Sequence, residues 1–229
     1  MKHPTSLSRR ELLKFGSIGV GGGILGLSVS SKVLAACLKT PVQTKGPFYP
    51  LDLNIESDGD LTKLKDSTKE ALGQMIYVRG KVTDDRCNPV EGVLVEIWQA
   101  CASGRYNHRS DPNPATLDRN FQYYGKATTD SDGRYLFKTI IPGAYPADTD
   151  WIRPPHIHYK VSKRGYAELI TQMYFAGDPL NKKDLILQQL SPADQEAVIV
   201  KLNEPEDDMD PRAKVGEFNI SIGRRLNGG

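Results

Sequence analysis

From Met75 onward this chain is a succession of short runs rich in β-branched and aromatic residues, each cut off by a cluster of Gly, Pro, Asp or Asn. Strands tolerate that punctuation and long helices do not, because Gly and Pro sit naturally in turns but destabilise a helix interior. The runs 76–82 and 93–99 flank the turn-forming stretch Asp84-Asp85-Arg86-Cys87-Asn88-Pro89. Residues 134–140 follow Ser131-Asp132-Gly133, residues 156–162 and 169–175 come next, and residues 217–222 alternate Phe218, Ile220 and Ile222 on one face. One helix is signalled by Ser191 as N-cap, Pro192 at the first position and Asp194 in the first turn, followed by Ala197, Val198 and Leu202. These signals predict an all-β sandwich carrying one short outer helix. With 229 residues, of which 38% are apolar, the chain can bury one substantial core.

Residues 38–74 carry charges and turn residues, Ser57-Asp58-Gly59-Asp60 among them, without a sustained period. They read as an extended arm wrapping the domain of residues 75–229. Residues 1–37 read differently: Ser8-Arg9-Arg10-Glu11-Leu12-Leu13-Lys14, then a Gly-rich, weakly apolar stretch, then Leu34-Ala35-Ala36-Cys37. Paired arginines before such a stretch resemble a twin-arginine export signal, the route of proteins exported already folded, so a bacterial periplasmic or cell-envelope location is expected. Four glycines within residues 19–23 and the charge at Lys32 leave the stretch weak for an uncleaved membrane span. Leu34-Ala35-Ala36-Cys37 also resembles a lipoprotein processing site, which would lipidate Cys37 and tether the protein to a membrane; ordinary cleavage nearby is the rival. Without residues 1–37 the formal charge of +2 becomes −2, with 25 basic against 27 acidic residues. A near-neutral body without a basic run argues against a nucleic-acid partner.

The chemistry-bearing feature is Arg153-Pro154-Pro155-His156-Ile157-His158-Tyr159, which holds two of the four histidines. On a strand, residues two apart point the same way, so His156 and His158 form half of a metal site. The next same-face position is Lys160, so no carboxylate completes a two-His-one-carboxylate iron site. Tyrosines are the natural supply of further ligands: Tyr106 in Gly104-Arg105-Tyr106-Asn107-His108, and Tyr145 after the turn Pro142-Gly143-Ala144. Two neutral imidazoles with two phenolates favour a hard trivalent metal, Fe(III), and point to an iron oxygenase. His108 reads as a solvated loop residue. A packing role for the His-x-His pair and a surface role for Tyr106 are the plain alternatives.

The runs Val95-Glu96-Ile97-Trp98-Gln99-Ala100, Gly104-Arg105-Tyr106, Thr129-Asp130-Ser131-Asp132-Gly133-Arg134-Tyr135, Pro142-Gly143-Ala144-Tyr145-Pro146, Arg153-Pro154-Pro155-His156-Ile157-His158 and Thr171-Gln172-Met173-Tyr174-Phe175 resemble the intradiol ring-cleavage dioxygenases. The resemblance runs from Gly46 to about Ile222 and favours the protocatechuate-type branch. The sizeable helical dimerisation segment of the catechol 1,2-dioxygenases has no counterpart in so short and irregular an arm. It implies an Ig-like or transthyretin-like β-sandwich with Fe(III) held by Tyr106, Tyr145, His156 and His158. The implied reaction, part of aromatic compound catabolism, uses O2 to cleave a catechol between its hydroxylated carbons, giving a muconate-type diacid. In that pattern Tyr145 also helps accept a proton, Arg153 offsets negative charge building on the ring, and Gln172 lines the substrate pocket. A guanidinium suits the role of Arg153 because it stays charged; a structural salt bridge, with Asp148 and Asp150 close by, is the alternative.

Two features depart from the pattern. The Tyr-Pro of the turn is followed by Ala147, with a tryptophan displaced to Trp151, so the pocket wall is expected to differ. The protocatechuate enzymes build their site with an alpha-type chain, so such a partner or a homo-oligomer is implied. Exported relatives resemble this chain in having cysteines where Cys87 and Cys101 stand, and an exported body permits a disulfide. A straight strand over residues 92–100 would hold the two sulfurs near opposite ends of an element ~30 Å long, beyond bonding reach. Two rivals complete the reading. An exported, non-enzymatic Ig-like or transthyretin-like accessory module would need the strands and turns alone. A copper or zinc site using only the histidines would leave both tyrosines unexplained.

Overall fold

The computed structural model describes residues 39–225. The export signal and the Cys37 processing site lie outside the described residues. The strands are β1 (Met75–Asp84), β2 (Leu94–Trp98), β3 (Tyr124–Thr128), β4 (Arg134–Ile140), β5 (Tyr145–Asp148), β6 (Trp151–Arg153), β7 (His156–Ser162), β8 (Leu169–Phe175), β9 (Ile199–Val200), β10 (Leu202–Asn203), β11 (Lys214–Glu217) and β12 (Ile220–Ile222). Two 3-10 turns, Pro179–Lys183 and Leu187–Gln189, precede α1 (Pro192–Val198), the one α-helix among the described residues. The fold is all-β, as the sequence predicts.

The strands form two mixed five-stranded sheets and a two-stranded hairpin. In one sheet β1 is central, antiparallel to β4 and parallel to β11 and β12, while β10 extends β11. The other runs β3-β2-β7-β8-β9, antiparallel except for the β8–β9 pair. Strands β5 and β6 pair as a hairpin. Alternate residues of both sheets meet in one core: Ile76, Val78 and Phe137 from the first, Val95, Ile97, Ile157 and Tyr159 from the second. Each such fully buried side chain contributes about 1.5–3 kcal/mol.

Strand β7 is buried on both faces. Ile157, Tyr159 and Val161 belong to the core, yet His156 and His158, which point the other way, are buried too. The arm explains this. Its Gln43 amide donates to the Ile170 carbonyl (2.8 Å), and its side-chain amide reaches Thr171 Oγ1 and the Gln172 carbonyl. Phe48 and Tyr49 then join Trp98, Ala100, Tyr106, Tyr124 and Tyr145 in a second apolar cluster. Below that cluster, buried Glu96 accepts from Tyr49 Oη (2.9 Å) and Tyr124 Oη and pairs with Lys160 Nζ (3.1 Å). Lys160, standing where a third metal ligand would have pointed, thus serves to neutralise a buried carboxylate.

Several local expectations change. Strand β3, the β5–β6 hairpin and β9 to β11 carry too little pattern to be foreseen, and some are only two or three residues long. The helix ends at Val198 rather than reaching Leu202, because β-branched Ile199 and Val200 pair with Tyr174 and Phe175 at the edge of β8. Residues 217–222 divide into β11 and β12, with Phe218 N bonding the Arg79 carbonyl and Asn219 Oδ1 accepting from Lys81 N at the break. Cys101 is a buried free thiol, so it does not pair with Cys87.

Candidate metal centre

Strand pairing sets the floor of the site. The β2–β7 and β7–β8 registers place Trp98 opposite His158, Gln172 on the other side of His158, and Tyr174 opposite His156. All five side chains share the outer face of the sheet under the arm. Trp98 lies parallel to the His158 imidazole, with planes 7° apart and centroids at 4.8 Å. The histidine rings themselves are 4.9 Å apart.

The two tyrosines come from loops that touch backbone to backbone. Gly143 N and Gly104 N both donate to the Cys101 carbonyl, at 3.0 and 2.9 Å. A Cβ at Gly104 would stand 2.2 Å from the Ala144 carbonyl oxygen, and one at Gly143 would stand 2.4 Å from the Ala102 oxygen. Only glycine at both positions lets the loops close, and Gly104 also holds φ at +81°. Asp111 Oδ2 accepts from Tyr106 N (2.6 Å), fixing the Tyr106 loop from its far side. Tyr106 and Tyr145 are thereby held edge to face with centroids 5.5 Å apart. Tyr145 lies 5.6 Å from His156, and Tyr106 lies 6.4 Å from His158. All four sequence-predicted ligands therefore meet at one place, and each is at most 6% exposed.

Electrostatics suit a cation there. Burial, seconded by the nearby Arg153 charge, pushes both imidazoles well below their usual range, so they stay neutral and keep a lone pair. The His156 Nδ1 hydrogen points at the Pro154 carbonyl (2.7 Å), which leaves the free lone pair on Nε2. Burial raises both phenols, well above the usual value for Tyr106, where the nearby Tyr145 adds to it. A metal ion reverses that tendency by stabilising phenolate. Tyr106 Oη and His158 Nδ1 are buried without a hydrogen-bond partner among the described residues, as expected of donors that a ligand completes. No group of three or more His, Cys, Asp and Glu side chains comes together among the described residues, so the imidazoles reach four donors only with the tyrosines. The donor set fits Fe(III).

Arg153 lies at the edge of this centre, 3% exposed, with Nη1 3.2 Å from His156 Nε2. Its salt bridge is to neither Asp148 nor Asp150 but to the fully buried Asp184, by Nε at 2.9 Å and Nη2 at 3.2 Å. Gln172 is fully buried as well: Oε1 accepts from Arg153 Nη2 (2.9 Å), and the amide donates to the Thr44 carbonyl of the arm (3.0 Å). The displaced Trp151 lies 5.5 Å from the guanidinium. The Phe48 ring lies tilted 4.6 Å from Tyr106 and edge to face 5.7 Å from His108, so the His108 ring packs at the rim of the site. Trp98, Phe48 and Asp184 are the site residues that sequence reasoning did not pick out. Trp98 had a signal, lying in a strand that alternates, but Phe48 and Asp184 had none.

A family model described as Dioxygenase matches residues 44–223, most of the chain. This chain belongs to the intradiol dioxygenase family. Among its relatives, the protocatechuate 3,4-dioxygenase beta chain of Burkholderia cepacia is 45% identical over 150 residues, covering 64% of this chain and 63% of that one. Catechol 1,2-dioxygenase of Candida albicans is 32% identical, covering 62% of this chain and 48% of the relative. The chain thus spans about half to just under two thirds of the length of these two relatives. Among solved structures, the dioxygenase domain of a dioxygenase carbohydrate-binding protein fusion from Streptomyces sp. SirexAA-E matches at 29% identity and TM-score 0.60. The alignment covers 82% of this chain and 99% of that domain. 3-Chlorocatechol 1,2-dioxygenase from Rhodococcus opacus 1CP shares the fold, with TM-score 0.64 at 23% identity, covering 85% of this chain and 78% of that one.

Proposed function

We propose that this intradiol dioxygenase family member is a non-haem Fe(III) enzyme that cleaves a protocatechuate-like catechol between its two hydroxylated carbons. Both atoms of O2 end in the product, a muconate-type diacid, so catechol plus O2 balances without a further reductant. The observation that carries the reading is the meeting of two buried phenols and two buried, neutral imidazoles, with the Tyr106 hydroxyl unpartnered. Tyr106, Tyr145, His156 and His158 would hold the ion. When bound, iron supplies Lewis acidity that activates the catechol ring toward dioxygen.

The protein does the rest. Tyr145 Oη, less deeply buried than Tyr106 and near the Arg153 cation, would be a phenolate while it holds the ion; in that form it can accept a proton from a catechol hydroxyl and become a neutral phenol. Arg153 Nη1 lies beside His156 and offsets negative charge growing on the substrate. Gln172 acts on the substrate through its bond to Arg153, since its oxygen is committed there. Phe48 and the arm close the outer face against water.

The two sheets over one core support an Ig-like or transthyretin-like sandwich. The name of the Burkholderia relative favours an alpha-type partner chain, with a homo-oligomer as the other arrangement. Export to an oxidising compartment rests on the paired Arg9 and Arg10 ahead of a weakly apolar stretch. Mass spectrometry of the mature N-terminus separates a lipid-modified Cys37 from ordinary cleavage nearby.

The test of the reaction is spectroscopic and isotopic. Iron-loaded protein should absorb visible light through phenolate-to-iron charge transfer, the band should change on anaerobic addition of catechol, and 18O2 should label both new carboxyl positions. A colourless protein that cannot be reconstituted with iron, or a product labelled at one position only, rejects the reading.

A further inference from the structure

The guanidinium of Arg153 is fixed along one edge by a single carboxylate. Nε and Nη2 form a two-point contact with Asp184, and Nη2 also reaches Gln172 Oε1 and Tyr174 Oη (3.1 Å). A planar fork held this way has one orientation left for its remaining nitrogen. That nitrogen is Nη1, which faces His156.

Asp184 is itself built in. It follows the 3-10 turn Pro179–Lys183, whose start is capped by Asp178 Oδ1 accepting from Leu180 N (2.8 Å). The Asp184 side chain accepts from Leu187 N (2.8 Å), its carbonyl accepts from Gln188 N (3.0 Å), and it has no exposure. Strand β6 supplies Arg153 from the other direction, with Tyr145 as its register partner in β5. The arginine thus leaves the β5–β6 hairpin beside one proposed ligand and is aimed by a turn 31 residues further along the chain.

We propose that Asp184 is a positioning residue of the site: it sets the plane of the Arg153 guanidinium so that Nη1 is presented to the His156 and Tyr145 side. This rests on the proposed role of Arg153 in ring cleavage. Asp184 hydrogen-bonds to neither proposed ligand nor substrate, and its bonds into the site run through Arg153. It also balances the arginine charge, so the site carries no net cation from this pair before the substrate arrives.

The experiment compares Asp184→Asn, Asp184→Glu, Arg153→Gln and the double variant Asp184→Asn/Arg153→Gln in the full iron-loaded chain with catechol as substrate. Asp184→Asn should lower kcat about 10- to 100-fold at matched iron content, as misplacement of a charge by about 1 Å does. The double variant should be no slower than Arg153→Gln alone, because both changes remove one function. A crystal structure of Asp184→Asn should show Nη1 moved from His156 Nε2. If Asp184→Asn does not fold, Asp184→Glu keeps the charge but shifts it by one methylene, and the same displacement and rate loss are expected. An unmoved guanidinium, full rate per iron-loaded molecule despite a lower Tm, or losses that add in the double variant would each overturn the proposal. If the parent protein fails to cleave catechol, the functional reading fails, while the guanidinium position still decides the role of Asp184.

Discussion

Trp98 and His158 face each other across the β2–β7 pair and stack almost in parallel, so a residue with no donor atom of its own toward the metal forms the wall that holds one proposed ligand still. The imidazole cannot rotate about its ring axis without losing this contact. Orientation of a ligating ring is worth about 10- to 100-fold in metal affinity. Trp98→Leu is therefore expected to cost about 3–4 kcal/mol in stability and to weaken iron retention in a competition against chelator. Trp98→Phe keeps a flat wall and should retain most of both. Unchanged iron retention in Trp98→Leu would show that the stack is packing alone.

The proposed ligation assigns the visible absorption of the iron-loaded protein to the tyrosines. Tyr106→Phe and Tyr145→Phe each remove one phenol from the four-donor set, so each single variant should lose part of the visible absorption of the iron-loaded protein. The double variant should lose it entirely while still folding, since Phe fills the same space. Visible spectra at matched iron content, with circular dichroism as the folding control, test this. A full-strength band in the double variant would remove both residues from the ligand set.

Gly104→Ala tests the loop contact. The added Cβ would meet the Ala144 oxygen at 2.2 Å, and φ is +81°. Separation of the loops should cost on the order of 2–3 kcal/mol and carry Tyr145 away from Tyr106. Thermal melts read the first effect and loss of charge-transfer absorption reads the second. Gly165→Ala, at φ +87° with no atom near the added Cβ, is the control for backbone strain without a clash.

Glu96 predicts the acid limit. Burial alone would raise its carboxyl, but the bonds from Tyr124, Tyr49 and Lys160 win and hold it below its usual 4.5. A carboxyl lowered on folding stabilises the protein fully above about pH 4.5, and that contribution is lost as pH falls through the folded value. Tm should therefore drop below that pH. Glu96→Gln should lower stability by roughly 2–3 kcal/mol at neutral pH and flatten the acid side of the Tm–pH curve. Since Tyr49 is tied to Glu96, the variant should also loosen the arm, which limited proteolysis near residues 45–50 would detect. A curve of unchanged shape would place the acid limit elsewhere.

How far the chain could be read in advance follows from the range of the interactions involved. The spacing of His156 and His158 is a local matter of strand period, and β1, β2, β4, β7 and β8 were legible for the same reason. Tyr106 and Tyr145 stood out through their Gly-containing motifs, but their contact depends on Gly104 and Gly143 backing onto each other from segments 39 residues apart. Short strands such as β9 and β10 were invisible because two residues carry no period. Arg153 was legible as a fixed charge. Its partner was not, because the nearest acids along the chain, Asp148 and Asp150, are not the nearest in space.

By itself, then, the order of residues determined the all-β class, the same-face histidine pair and the residue types available to bind a hard cation, since each depends on dihedral preference and period over a few positions. Only the tertiary structure decided that the arm lies over the outer sheet face, that Trp98 walls His158, and that Asp184 aims Arg153. Those relationships join segments dozens of residues apart, and they exist only because burying the second apolar cluster draws the arm, the two loops and the sheet to one place.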